Sequence, residues 1–181
     1  MRFVESGLAD AFVIELEPHA DERGFFARSF CRREFESHGL DPCVAQCNVS
    51  YNRRRGTLRG MHYAEASAAE AKLVRCTAGA IWDAIVDLRP DSETHLAWVG
   101  FELSAENRRM LYVPKGFGHG FVTLRDDTEV FYQMSEFYVA GAHRGFRFDD
   151  PQFAIAWPEP ARVVSENDRN LPLFDPEAFD G

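Results

Sequence analysis

His62 lies in "TLRGMHYA" between Met61 and Tyr63, and His119 lies in "PKGFGHGF" between glycines. Imidazole is the side chain whose ordinary pKa sits nearest neutrality, so either could take and return a proton. A strand histidine more often fills a hydrogen-bonded structural role. Proton transfer at His62 needs an orienting carboxylate, an anion stabiliser and an opposing acid. Lys72, Tyr132 and Asp168 have the chemistry for those parts. Lys72 is one of only two lysines and opens the apolar run "LVRC". It points either outward from an alternating strand or inward as a functional cation. Tyr132 and Tyr138 stand six apart, a spacing that predicts one face of a strand, with core packing as the ordinary alternative. Asp168 follows Asn167 in a polar tail, where a solvated aspartate is the ordinary expectation.

Arg23, Arg28, Arg32, Arg33, Arg53, Arg54, Arg55 and Arg59 crowd the first third of an otherwise acidic chain. They form either a basic surface face or, in part, a phosphate-binding group, since guanidinium captures phosphate oxygens two at a time. No GxxxxGKS or GxGxxG motif is present, so any phosphate contact comes from side chains. There is no HxH or HExxH, and the cysteines at 31, 43, 47 and 76 form no CxxC pair. Neither a metal site nor a disulfide framework is expected.

The elements that must position these residues follow from composition and pattern. The 181 residues are 45% hydrophobic and 13% aromatic, enough apolar surface for one core and too much for a disordered chain. A formal net charge of -9 excludes the basic field of a general nucleic-acid or anionic-membrane binder. The first residues carry acidic groups where a signal peptide needs an apolar core, and no run approaches the roughly 20 apolar residues of a membrane span; a cytoplasmic location is expected. Runs rich in Val, Ile, Phe, Tyr and Trp at 71–79, 80–90, 95–104, 108–116, 120–127 and 128–139 are separated by turn residues. That predicts an antiparallel sandwich or barrel. Residues 11–18 read as a strand, 31–39 as a short helix stopped by Gly39, and the rest of the first third as less regular. The C-terminal stretch reads as a covering segment on a single domain, 1–181.

Seven ordered blocks carry a more specific pattern: "DERGFFARSF" (21–30), "QCNVSYNRRRGTLRGMHY" (46–63), "AKLVRCTAGAIWDAIVDLRPDS" (71–92), "LSAENRRMLYVPKGFGHGFVTL" (103–124), "EVFYQMSEFY" (129–138), "FDDPQFAIAWP" (148–158) and "SENDRN" (165–170). Together they resemble the dTDP-4-dehydrorhamnose 3,5-epimerase family. The resemblance implies an all-β, cupin-like jelly roll (a double-stranded β-helix) with short peripheral helices. It also implies a homodimer built partly by N-terminal strands, no metal or organic cofactor, and a nucleotide-diphosphate sugar as substrate. Carried onto this chain, it implies His62 as the base, Asp168 as its orienting partner, Lys72 as the enolate stabiliser and Tyr132 as the opposing acid. On the substrate side it implies Arg23 and Arg59 at the diphosphate, Tyr138 at the base, Gln46, Asn48 and His119 as polar pocket residues, and Phe26 and position 28 as further contacts.

Four positions depart from the family pattern. Arg28 stands where glutamate is usual, His19 where an aromatic is common, and Ala64 and Glu70 where glutamines are familiar. The charge reversal at Arg28 bears on ligand selection. Alternatives to the double epimerase are a C3-only or C5-only epimerase or ketoisomerase acting on a GDP-, CDP- or UDP-linked 4-keto sugar. A noncatalytic sugar-nucleotide-binding barrel is the alternative outside enzymology.

Overall fold

The computed structural model describes residues 1–179. Its strands are β1 (Arg2–Glu5), β2 (Phe12–Glu15), β3 (His19–Asp21), β4 (Gly24–Phe26), β5 (Gln46–Asn52), β6 (Thr57–Ala64), β7 (Lys72–Ala78), β8 (Ala80–Asp87), β9 (Trp98–Ser104), β10 (Met110–Val113), β11 (Phe117–Thr123), β12 (Thr128–Met134), β13 (His143–Gly145) and β14 (Val163–Val164). Two short α-helices, α1 (Arg32–Ser37) and α2 (Glu166–Arg169), and a 3-10 turn (Ala66–Ala68) complete the regular structure among the described residues. One sheet runs β1-β2-β10-β7-β12-β5; a second runs β13-β6-β11-β8-β9, with β14 added beside β6; β3 and β4 pair only with each other, as a two-stranded arm. This is the expected all-β jelly roll with peripheral helices. No helix among the described residues is long and apolar enough to cross a membrane.

The two sheets face each other over an interior packed at one end by Val74, Ile81, Ile85, Leu103, Leu111 and Val130, all buried. Each outer face has its own cover. Phe35 of α1 packs with Ile14, Leu73 and Met110 on the first sheet. Phe146, Phe153, Ile155 and Phe174 from the C-terminal stretch pack on Met61, Ala84 and Val86 of the second. The tail is therefore structural, as its covering role predicts. Burying each such apolar side chain stabilises the fold by roughly 1.5–3 kcal/mol.

Six strands lie within the first 64 residues, where the sequence pattern reads as irregular apart from 11–18. β5 shows why. Val49 and Tyr51 are exposed while Gln46, Asn48 and Ser50 are partly covered and Asn52 is buried, an inverted amphipathicity that hides the strand from a hydrophobic pattern. The run 128–139 also differs: β12 ends at Met134, so Tyr138 lies beyond the strand and does not share its face with Tyr132 through strand periodicity.

One irregularity sets the site. His119 pairs with His62 and Phe121 pairs with Arg59, so two steps along β11 match three along β6. The extra residue is a β-bulge at Gly60–Met61, and it lets Arg59 and His62, three apart, both reach the interior. Gly60 has φ +121, and a Cβ there would stand 2.6 Å from Gly120 Cα and 2.9 Å from the His119 carbonyl oxygen. Both obstacles are backbone, so a side chain cannot be accommodated by rotation. Gly60→Ala is expected to cost at least about 1–3 kcal/mol of stability and to lower turnover, measured by urea unfolding and sugar turnover. Wild-type values in both would refute the bulge's role.

Candidate active site

At the end of the sandwich opposite the apolar packing, the sheets enclose a cavity of about 1210 Å³. That exceeds the roughly 300–1,000 Å³ of a drug-sized site and leaves room for a larger ligand. His62, Lys72, Tyr132 and Asp168 all line it, as do Gln46, Asn48, Arg59, His119 and Tyr138. The two walls contribute different groups. His62, Arg59 and His119 come from β6 and β11 of one sheet; Lys72 and Tyr132 come from β7 and β12 of the other. Lys72 is directly opposite Met134 across the β7–β12 ladder, and Tyr132 opposite Val74. The even-numbered positions of both strands therefore share the inward face.

Asp168 reaches His62 because β14 runs parallel to β6 at Thr57 and Leu58 and delivers α2 to the strand. Ser165 caps α2, its Oγ accepting from the Asp168 backbone N–H at 3.0 Å. The Asp168 Oδ1 lies 2.7 Å from His62 Nε2. Burial works to raise the Asp168 carboxyl, but the bonds from His62, Ser165 and the Gly60 backbone outweigh it, and it lies below its ordinary value. An ionised Asp168 can only accept at Nε2, so in the neutral form of the imidazole this contact places the proton on Nε2 and the lone pair on Nδ1. In sequence Asp168 looked like a solvated tail residue; here its side chain is 7% exposed.

On the facing wall, burial raises the Tyr132 phenol, the Arg59 charge opposes that, and the Glu70 charge adds to it. Tyr132 thus stays protonated through neutral pH as a proton donor. Lys72 Nζ lies 3.1 Å from Glu70 Oε1. Arg59 Nε donates to Asn52 Oδ1 at 2.8 Å, while Asn52 Nδ2 donates to the Thr128 carbonyl at 3.3 Å. His119 Nε2 stands 2.7 Å from Oδ1 of the fully buried Asp83. Gln46 Oε1 accepts from the Tyr138 backbone N–H at 2.8 Å, and Asn48 Nδ2 donates to Met134 Sδ at 3.2 Å.

Three expected substrate contacts lie outside this cavity. Arg23, Phe26 and Arg28 belong to the β3–β4 arm and the segment after it; Phe26 is 75% exposed. Arg23 pairs with Asp21 at 2.5 Å and Arg28 with Glu34 at 2.7 Å. Of the eight clustered arginines only Arg59 lines the cavity, so most of the cluster is surface. His19 is on the same arm, opposite Phe26. Sequence reasoning missed Asn52, Asp83 and His143 as site-supporting residues. A legible signal existed for Asp83, an acid inside the apolar run "AIWDAIVD" that only a partner could make tolerable. No cluster of three or more His, Cys, Asp or Glu residues suited to a metal is present among the described residues.

A histidine–aspartate pair facing a protonated tyrosine across an arginine- and lysine-bearing cavity is suited to moving a carbon-bound proton in an anionic ligand. Comparison with known proteins agrees. The family model for dTDP-4-dehydrorhamnose 3,5-epimerase matches residues 5–176. The chain belongs to this family. A dTDP-4-dehydrorhamnose 3,5-epimerase of Methanothermobacter thermautotrophicus is 41% identical over 172 residues, 93% of this chain and 92% of that one. The crystal structure of the Bacillus anthracis epimerase with TDP and PPi bound superposes with a TM-score of 0.91 at 42% identity, covering 96% of this chain and 99% of that one. The Legionella pneumophila dTDP-6-deoxy-D-glucose-3,5-epimerase in complex with dTDP-4-keto-L-rhamnose gives 0.89 at 35%, covering 98% and 96%. The chain is accordingly an isomerase of the epimerase class with a cupin-like fold.

The depressed Asp168 carboxyl has a testable consequence. Its contribution to stability is complete above the ordinary carboxylate value of about 3.9 and is lost as pH falls through the lower folded value. Asp168→Asn is expected to flatten that acid limb in pH-dependent unfolding. It should also cut turnover by as much as roughly 10⁴-fold, the loss found when the aspartate orienting a catalytic histidine is changed to asparagine. An unchanged acid limb would contradict the assignment.

Proposed function

We propose that this enzyme converts dTDP-4-dehydro-6-deoxy-D-glucose to dTDP-4-dehydro-L-rhamnose by inverting C3 and C5. The observation that carries the reading is the placement of base and acid on opposite walls: the His62–Asp168 pair on one sheet, protonated Tyr132 on the other. A C4 ketone acidifies the hydrogens on both neighbouring carbons because the electron pair left behind delocalises onto O4 as an enolate. Neutral His62, through Nδ1, takes the proton from one face, and its imidazolium is stabilised by Asp168. Lys72 stabilises the charge growing on O4. Tyr132 then delivers its phenolic proton to the same carbon from the other face, inverting it. The cycle leaves imidazolium and phenolate, which return to their starting states by proton exchange with solvent. Repetition at the second carbon completes the double inversion. An ordinary imidazole, near pKa 6.5, is a weak base for such a proton, so fixed charge around O4 supplies much of the rate.

Arg59, fixed by Asn52, suits the diphosphate, with Gln46, Asn48 and His119 as polar contacts and Tyr138 as a stacking surface for the base. Arg23, Phe26 and Arg28 are assigned to the cavity of a second copy in a homodimer. The exposed Phe25 and Phe26 on a two-stranded arm support that assignment, since such a pair gains by burial against a partner. The enzyme is assigned to the cytoplasm, a reading supported by its four free cysteines.

Proton NMR in heavy water with dTDP-4-keto-6-deoxyglucose tests the reaction: deuterium should enter at both C3 and C5. Deuterium at one carbon would make it a single-centre epimerase, and no exchange by folded protein would reject the thymidine substrate. His62→Ala should abolish exchange while retaining nucleotide binding. Tyr132→Phe should slow inversion more than deprotonation, and Arg59→Ala should weaken binding. For the arm, light scattering should give a dimer, and Arg23→Ala should lower nucleotide affinity about tenfold with kcat little changed. A monomer with full affinity would remove the arm from the site.

A further inference from the structure

Beside the catalytic groups lies a buried carboxylate that the epimerisation scheme leaves without a task. Glu70 sits between the 3-10 turn Ala66–Ala68 and β7, two residues before Lys72. Its side chain is only 2% exposed. Oε1 stands 3.1 Å from Lys72 Nζ and 3.3 Å from His143 Nε2, while Oε2 is buried with no protein partner. His143 is held in turn: it lies on β13 opposite Ala64 of β6, and its ring stacks on Tyr138 with centroids 4.9 Å apart and planes 23° from parallel. A carboxylate with an unpartnered buried oxygen is costly unless a cation compensates it. Lys72 is that cation, and among the described residues Glu70 is its one ion-pair partner. The dependence runs both ways. Lysine carries its charge on a flexible four-carbon stem, so the location of the ammonium is set by the acceptor that holds it.

We propose that Glu70 is the positioning residue for Lys72. Its Oε1 fixes the ammonium where negative charge develops on the substrate, and His143 braces the carboxylate from the side of the Tyr138 ring. The sugar need not touch Glu70 for this role. The proposal rests on Lys72 serving the enolate oxygen, and the experiment separates the two.

Glu70→Met matches the side chain in length and removes the acceptor; Glu70→Gln keeps an oxygen that can accept from Lys72. Both are compared with Lys72→Met and with the Glu70→Met/Lys72→Met double variant. The measurements are steady-state turnover and solvent-deuterium incorporation, followed for hours so that slow variants remain readable. Glu70→Met should lower kcat at least tenfold with KM within threefold of wild type, and Glu70→Gln should recover most of that loss. On the Lys72→Met background, Glu70→Met should change exchange less than twofold, because a group that acts through Lys72 has nothing left to act on. Equal losses for the Met and Gln variants, a rise in KM with kcat unchanged, or full additivity in the double variant would each overturn the proposal. Wild-type turnover in Lys72→Met would instead remove the enolate role of Lys72, and the proposal with it.

Discussion

Strand β6 carries more obligations than any other element, and the bulge at Gly60–Met61 lets it meet them together. It pairs with β11 along one edge and with β13 and β14 along the other, so its backbone polar groups are largely used. A regular strand would send Arg59 and His62 to opposite faces, because side chains alternate with a period of two. The additional residue brings both inward while Met61 turns out to the aromatic cover of Phe146 and its neighbours. The bulge in turn demands close approach of two backbones, with Gly60 and Gly120 facing each other. Site geometry and sheet pairing are thus one constraint. The contact between β6 and the C-terminal strand β14 is also what brings Asp168 within 2.7 Å of His62.

The two-sheet architecture has a chemical use beyond enclosing a core. Inverting a carbon centre needs a base and an acid on opposite sides of the ligand, and no single strand or sheet face offers both. Two facing sheets do, provided one end of the sandwich is left unfilled. The apolar cluster around Ile85 and Leu111 fills the other end. The cavity is lined by groups that would be unstable in an apolar core, and most are stabilised by pairing: His62 with Asp168, His119 with Asp83, Arg59 with Asn52, Lys72 with Glu70. Such a network is rigid when satisfied and costly when broken. These pairings hold the named side chains before ligand arrives, while Glu70 Oε2 and Asp83 Oδ2 are buried without a partner; fixed groups of this kind are what stabilising a developing enolate requires.

The departures from the family pattern separate by location. Arg28, whose charge reversal bears on ligand selection, and His19 are outside the cavity of their own chain. Arg28 is engaged with Glu34. Glu70, a change of one atom type from glutamine, occupies the cavity wall beside Lys72.

Strand-rich runs from residue 71 onward, the short helix ended by Gly39 and the ordered family blocks were legible in the sequence alone. Apolar periodicity and turn residues report directly on which segments bury a face. The same signal failed on β5, where the buried face is polar because it lines the cavity, and on Tyr138, where an even spacing ran past the end of β12 at Met134. The types of the chemical residues were also in the sequence, with the blocks around them naming His62, Lys72, Tyr132 and Asp168. Their convergence was not, because residues 62 and 168 meet only through the parallel pairing of β14 with β6. Likewise, only the folded chain shows that Asn52 holds Arg59, that Asp83 holds His119 and that Glu70 shares one oxygen between Lys72 and His143. Local pattern encodes what each segment buries. Long-range register decides which buried polar groups become partners.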